Sequence, residues 1–174
     1  MYKNKDIAGR SIVEMLGVLA IMSVITVIGI LGYQRALSLF NRSGTISDVA
    51  ELAQEVRALY SGHQFVDSNL QANVMGARGM TGIQIPNRFG GYYELSLAGN
   101  PFNADGVQKS AFFRITITNV PRTDCTFLSL QNWAGARNMH GVDNGGSAII
   151  GDGTGLMSTC QDGAENRITI VYQA

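Results

Sequence analysis

From Ser11 to Tyr33 the chain reads SIVEMLGVLAIMSVITVIGILGY, apolar on every side, with Glu14 as its lone carboxylate. A helix needs about 20 apolar residues to cross a hydrocarbon core, so the run is long enough to span a bilayer. The pattern then changes character. Tyr33 to Phe40 still favours helix, Asn41 to Gly44 offers a break or bend, and helix resumes with Thr45 or Ser47 as its candidate cap. Beyond that point Val49, Leu52, Ala53, Val56, Leu59 and Tyr60 recur at three- and four-residue spacing, while Asp48, Glu51, Glu55 and Arg57 fall between them. This predicts an amphipathic second half with its apolar face against a globular body. A continuous helix from Ser11 to about Tyr60 would measure roughly 75 Å at 1.5 Å per residue.

Residues 62 to 91 are rich in Gly, Asn, Gln and Met and read as a connecting loop with one short helix near Leu70. Alternation with a period of two begins afterwards. Tyr93, Leu95 and Leu97 alternate with Tyr92, Glu94 and Ser96; Phe113, Ile115 and Ile117 alternate with Arg114, Thr116 and Thr118; Ile168, Ile170 and Tyr172 alternate with Arg167, Thr169 and Val171. Between the last two, Val120 to Asp124 reads as a helix entry capped by Thr123, leading to Cys125, Phe127, Leu128 and Leu130. These pieces predict an α+β fold: a small antiparallel sheet lying on the second half of a long helix.

Glu14 requires an explanation. A carboxylate at the centre of a spanning helix costs about 2.5 to 3.5 kcal/mol on insertion scales, less near an end, so it tends to have a partner and a role. The bland alternative is a solvated residue at the headgroup boundary. What precedes it is informative: Met1 to Gly9 (MYKNKDIAG) is polar, and Gly9-Arg10-Ser11-Ile12-Val13-Glu14 opens the apolar run directly. A secretory signal places its small-residue cleavage site after the apolar region, whereas here the small residue comes first. Lys3, Lys5 and Arg10 outnumber Asp6 ahead of the run, which predicts a cytoplasmic N-terminus. Arg35 and Arg42 weaken that bias without reversing it.

With Gly9 before the cut, Glu14 as fifth residue of the mature chain and the apolar helix following, the N-terminus resembles the type IV pilin family, including the pseudopilins of secretion systems. The resemblance implies a prepilin peptidase that cuts after Gly9 on the cytoplasmic face and methylates the new amine of Arg10. In one departure, the family usually has Phe, Met or Leu as first mature residue, and Arg10 places a second positive group beside the amine. The expected organisation is a leader over 1–9, a long helix over 10–60 (transmembrane about 11–33, amphipathic 45–60) and a globular head over 61–174. The order of head elements also resembles type IV pilins. The Pro121 to Leu130 segment is similar to type IVb heads and the short leader to type IVa, so the subclass stays open.

Two cysteines occur in the chain, Cys125 and Cys160. An even count outside the cytoplasm favours one disulfide, worth roughly 3 to 4 kcal/mol in the loop-closure picture; two separate buried thiols are the other reading. A bridge closing residues 125–160 is again similar to the pilin D-region. Less leader and helix, the 174 residues leave enough chain for one domain, and formal net charge is zero, so no basic field argues for a nucleic acid partner.

No P-loop, nucleophile elbow or HExxH motif is present, and His63 and His140 sit in Gly- and Asn-rich text away from paired carboxylates. An enzyme is therefore not expected, nor a cofactor. Asp143 to Gly146 and Asp152 to Gly155 offer hard oxygens and tight turns, but their spacing matches no EF-hand and no metal site is assigned. Three functions remain: a filament-forming pilin subunit, a minor pilin or pseudopilin, and a membrane-anchored binding domain or enzyme that keeps its leader. The first is preferred. It implies as partners further copies of the chain in a helical filament, the prepilin peptidase, the inner-membrane assembly machinery and membrane lipid before assembly. Its location is then the inner membrane first and the extracellular pilus afterwards.

Overall fold

The computed structural model describes residues 12–82, 84–99, 101–143, 149–151, 160–162 and 166–174. The chain divides into two compact units, one ending at Leu39 and one spanning Phe40–Ala174. Helix α1 (Ile12–Leu59) contributes to both.

In the first unit every residue from Ile12 to Leu37 is exposed. The large apolar side chains from Ile12 to Tyr33 are 53–77% exposed, with no buried stripe and no polar face. In the second unit α1 is amphipathic, burying Thr45, Val49, Leu52, Ala53 and Val56; of the expected stripe, Leu59 is instead exposed and Tyr60 only partly buried, because the apolar face ends with Val56. Fully burying a side chain such as Leu52 is worth about 1.5–3 kcal/mol.

The expected break at Asn41 to Gly44 is absent, because these residues lie inside α1. Gly44 is needed there for close approach: a Cβ at this position would run into the Arg88 side chain. That side chain reaches past Gly44 to bond both carboxylate oxygens of Asp48 at 2.8 and 3.0 Å, one turn further on. Thr45 is a buried helix-interior residue rather than a cap.

After α1 come β1 (Val66–Asp67), α2 (Leu70–Ala77), β2 (Ile85–Pro86), β3 (Tyr92–Ala98), β4 (Phe102–Ala104), β5 (Val107–Ser110) and β6 (Phe112–Val120). The rest is α3 (Arg122–Ser129), β7 (Ala136–Asp143), β8 (Ile149–Gly151) and β9 (Asn166–Gln173). The strands form two antiparallel sheets, a small one ordered β1-β5-β4 and a larger one ordered β2-β3-β6-β9-β7-β8. The fold is α+β.

The three predicted strands are the centre of the larger sheet, and register aligns their apolar sets. Leu97 pairs with Phe113 and that with Tyr172; Leu95 with Ile115 and Ile170; Tyr93 with Ile117 and Ile168. All nine are buried in one cluster with Val49, Leu52 and Val56 of α1. On the opposite face Thr116 and Thr169 share a 3.0 Å hydroxyl hydrogen bond, and Arg167 pairs with Glu94.

Short strand β2 pairs only with Tyr92 and Tyr93 of β3, and the rest of that edge is covered by side chains. Gln71 of α2 accepts from the Leu95 amide at 2.6 Å, and Arg114 donates to the Leu97 carbonyl at 2.9 Å. An open strand edge is a template for unwanted pairing, and these groups occupy it. Gly91 marks another tight contact: a Cβ there would lie 2.6 Å from the Thr118 carbonyl oxygen.

Three sequence expectations change in this region. The loop over 62–91 contains the predicted short helix, as α2, but also β1 and β2. Helix α3 starts after an extended Pro121 at the cap position, with no side-chain cap, so Thr123 lies within its first turn instead of capping it. Pro121 has no amide hydrogen to satisfy and so tolerates that boundary. His140, expected in a loop, lies in β7 in register with Ile170.

Candidate assembly site

Glu14 sits in the first turn of the described α1, exposed and flanked by Val13 and Met15, which are 74% and 57% exposed. Gly9 and Arg10, its expected companions, lie outside the described residues. The helix beyond Glu14 satisfies its own polar groups. Ser23 donates to the Ala20 carbonyl at 2.7 Å and Thr26 to the Met22 carbonyl at 2.8 Å, so neither hydroxyl requires water. One 18-residue window reaches a mean hydropathy of 2.5 with nothing in it buried, and α1 is long and apolar enough to serve as a membrane anchor.

Within the second unit, α1 is held by charged side chains as well as by its apolar face. Arg42 makes a 2.6 Å ion pair with Asp124 in the first turn of α3 and lies 4.8 Å from the Phe127 ring centroid. Arg88 clamps Asp48, which also accepts from the Tyr93 hydroxyl at 3.2 Å. Burial, and then the negative charge of Asp48, push the Tyr93 phenol well above its usual range. Arg78 bridges Glu51 and Glu55 at 3.0 and 2.6 Å. Arg57 donates to the carbonyls of Gly135 and Gln173, both at 3.2 Å. It also lies 5.6 Å from the ring centroid of Tyr172, whose phenol burial pushes up to about 12 against the opposing pull of Arg57. Within the second unit these ties join α1 to α2, α3 and the sheet.

Cys125, buried in α3, forms the expected disulfide with buried Cys160. Asn166 reinforces the attachment, accepting from the Gln161 amide at 2.8 Å and donating to the carbonyls of Val120 and Gln161. Arg122 pairs with Asp162. Of the calcium-like segments, Asp143 ends β7 while residues 144–146 and 152–155 lie outside the described residues. His63 is exposed in the turn after α1, beside an open cleft of about 480 Å³ that also involves Tyr60, Phe65, Asp67, Asn73 and Lys109.

Sequence reasoning missed this cleft and the ion pairs. The partners of Arg42 and Arg88 lie 82 and 40 residues away, and nothing local announces them. One signal was legible: Asp105-Gly106 between short strands is a two-residue hairpin signature, and both residues have positive φ in the β4–β5 turn.

No curated protein matches the chain. A family model described as PilS N terminal matches residues 40–173, nearly the whole of the second compact unit and over half of the chain. The chain therefore belongs to the PilS N-terminal family, a pilin-related family, and is a pilus-associated protein.

Proposed function

We propose that the chain is a structural subunit of a type IV pilus filament. One observation carries this reading: a pilin-related head beginning at Phe40 follows an apolar helix that is exposed on every side and carries the lone carboxylate Glu14. A helix apolar all round needs cover. Lipid supplies it before assembly, and the helices of neighbouring subunits supply it afterwards.

In this reading a prepilin peptidase removes residues 1–9 and methylates the amine of Arg10. The subunit waits in the inner membrane with its N-terminus cytoplasmic, until the assembly machinery draws it into an extracellular helical filament. Glu14 pairs with the positive N-terminus of a neighbour. Burial makes that pairing valuable for register, since removing one partner of a buried ion pair typically costs about 3–5 kcal/mol.

Complementation of a strain lacking the chain tests the proposal. Wild type should be abundant in filaments sheared from the cell surface, while Glu14→Ala should accumulate in the membrane and be missing from the sheared fraction. Equal filament assembly by the variant would reduce Glu14 to a boundary residue and overturn the role given to it. Wild type present only in trace amounts would replace a major subunit with a minor pilin or pseudopilin.

A further inference from the structure

The cleft at the C-terminal end of α1 has chemistry that neither anchoring nor polymerisation uses. Tyr60, just beyond α1, donates its hydroxyl to Asp67 Oδ1 at 2.9 Å and accepts from the Asn73 side-chain amide at 2.8 Å. The same Asp67 oxygen accepts from the Asn69 backbone amide at 2.8 Å. A carboxylate, a phenol and an amide are thus fixed in one chain, each drawn from a different local element: the end of α1, β1 and α2. Both bonds to Asp67 fall on Oδ1, and among the described residues Oδ2 has no protein donor.

Beside this polar chain stands an aromatic wall. Phe65 remains 37% exposed although it is held edge-to-face against Phe102, with ring centroids 4.8 Å apart and planes at 84°. Phe102 is itself 42% exposed. Phe65 lines the cleft and Phe102 packs edge-on against it, so the two rings hold each other and present an apolar face to solvent. Lys109 lines the cleft, and its ammonium lies 3.4 Å from an Asp105 carboxylate oxygen, so the local charges of lysine and aspartates include no excess of positive charge.

We infer that this cleft binds a neutral saccharide. The physical match is specific. One face of a sugar ring is a plane of C–H groups that packs on an aromatic ring, while its hydroxyls both donate and accept, which suits an ordered carboxylate–phenol–amide chain. About 480 Å³ falls in the usual range for small-ligand sites, and an open cleft admits the end of a longer chain. Asp67 and Asp105 disfavour an anionic sugar or an acidic peptide, because each would bring like charge toward a carboxylate. The inference concerns the head alone and holds whether or not the chain polymerises.

The test uses the full chain in detergent, titrated by calorimetry with a neutral disaccharide and oligosaccharide panel of gluco, galacto and manno configuration. An oligogalacturonate and a polyglutamate peptide serve as anionic competitors. At least one neutral member should bind saturably, and at least tenfold more tightly than either anion. Asp67→Asn, which keeps the shape of the side chain, and Phe65→Leu, which keeps apolar bulk without the ring face, should each weaken that binding at least tenfold. Phe127→Ala, on exposed α3 surface, should leave it unchanged. No saturable neutral ligand, preferential binding of either anion, or binding indifferent to both cleft variants would overturn the proposal.

Discussion

Breaking the Cys125–Cys160 bridge should destabilise the head without unfolding it. The bridge closes a loop of 35 residues in sequence separation. Loop-closure entropy for that length is about −12.7 cal/mol/K, which at 25 °C corresponds to ~3.8 kcal/mol. Two local attachments survive reduction and hold residues 160–162 near their places: the Asn166 hydrogen bonds and the Arg122–Asp162 pair. Replacing both cysteines by serine should therefore cost about 3–4 kcal/mol. For a cooperative unit the size of Phe40–Ala174, an unfolding entropy of about 2.1 cal/mol/K per residue converts this into a fall in Tm of ~13 °C.

Trp133 is a suitable reporter, since it is buried and its indole donates to the Leu128 carbonyl at the end of α3. Urea unfolding of the detergent-solubilised double variant, followed by Trp133 fluorescence, measures the cost. Asn166→Ala in the serine background should then lose more than Asn166→Ala in the oxidised protein, because the two attachments share the same segment. A serine variant within about 1 kcal/mol of wild type would refute the reasoning.

Other perturbations have equally definite outcomes. Arg42→Met should cost about 1.5–3 kcal/mol in the same unfolding assay, because it removes a charged hydrogen bond between α1 and α3; a loss under about 0.5 kcal/mol would show the pair to be dispensable. Leu52→Ala, at a fully buried position of α1, should cost about 2–5 kcal/mol through lost transfer energy and a cavity. Alkaline titration should destabilise the head above pH 10. Tyr172 and Tyr93 keep their protons in the folded state while the unfolded chain loses them, so stability present below pH 10 is lost as pH rises toward about 12. Urea midpoints flat across that window would contradict the burial of both phenols. Gln71→Ala should uncover the β3 edge and raise the rate of aggregation on mild heating, read by light scattering, with little change in secondary structure.

Much of the fold was legible because side-chain periodicity is a local property. The alternation at Tyr93–Leu97, Phe113–Ile117 and Ile168–Tyr172 identified the three central strands, and register turned each alternation into a row across the sheet. The helical stripe at Val49, Leu52 and Val56 located the face on which that sheet packs. Short strands were not legible. Val66–Asp67 and Ile85–Pro86 are too brief to show a period, and pairing with distant partners makes them strands. Gly44 misled for a related reason: its missing side chain makes room for Arg88, and sequence alone cannot distinguish that from a break. Glu14 stood out because a charge in an apolar run is conspicuous, while the cleft beside Tyr60 is assembled from segments that individually look like loop.

The mass of the mature chain tests the central claim most directly. Intact-mass and N-terminal peptide spectrometry should be applied to protein recovered from both the membrane and sheared surface filaments. A processed subunit begins at Arg10, with or without a methyl group on its amine, and that form should dominate the filaments. A chain that starts at Met1 in the membrane and never appears in a filament would contradict the account and leave an anchored head in its place.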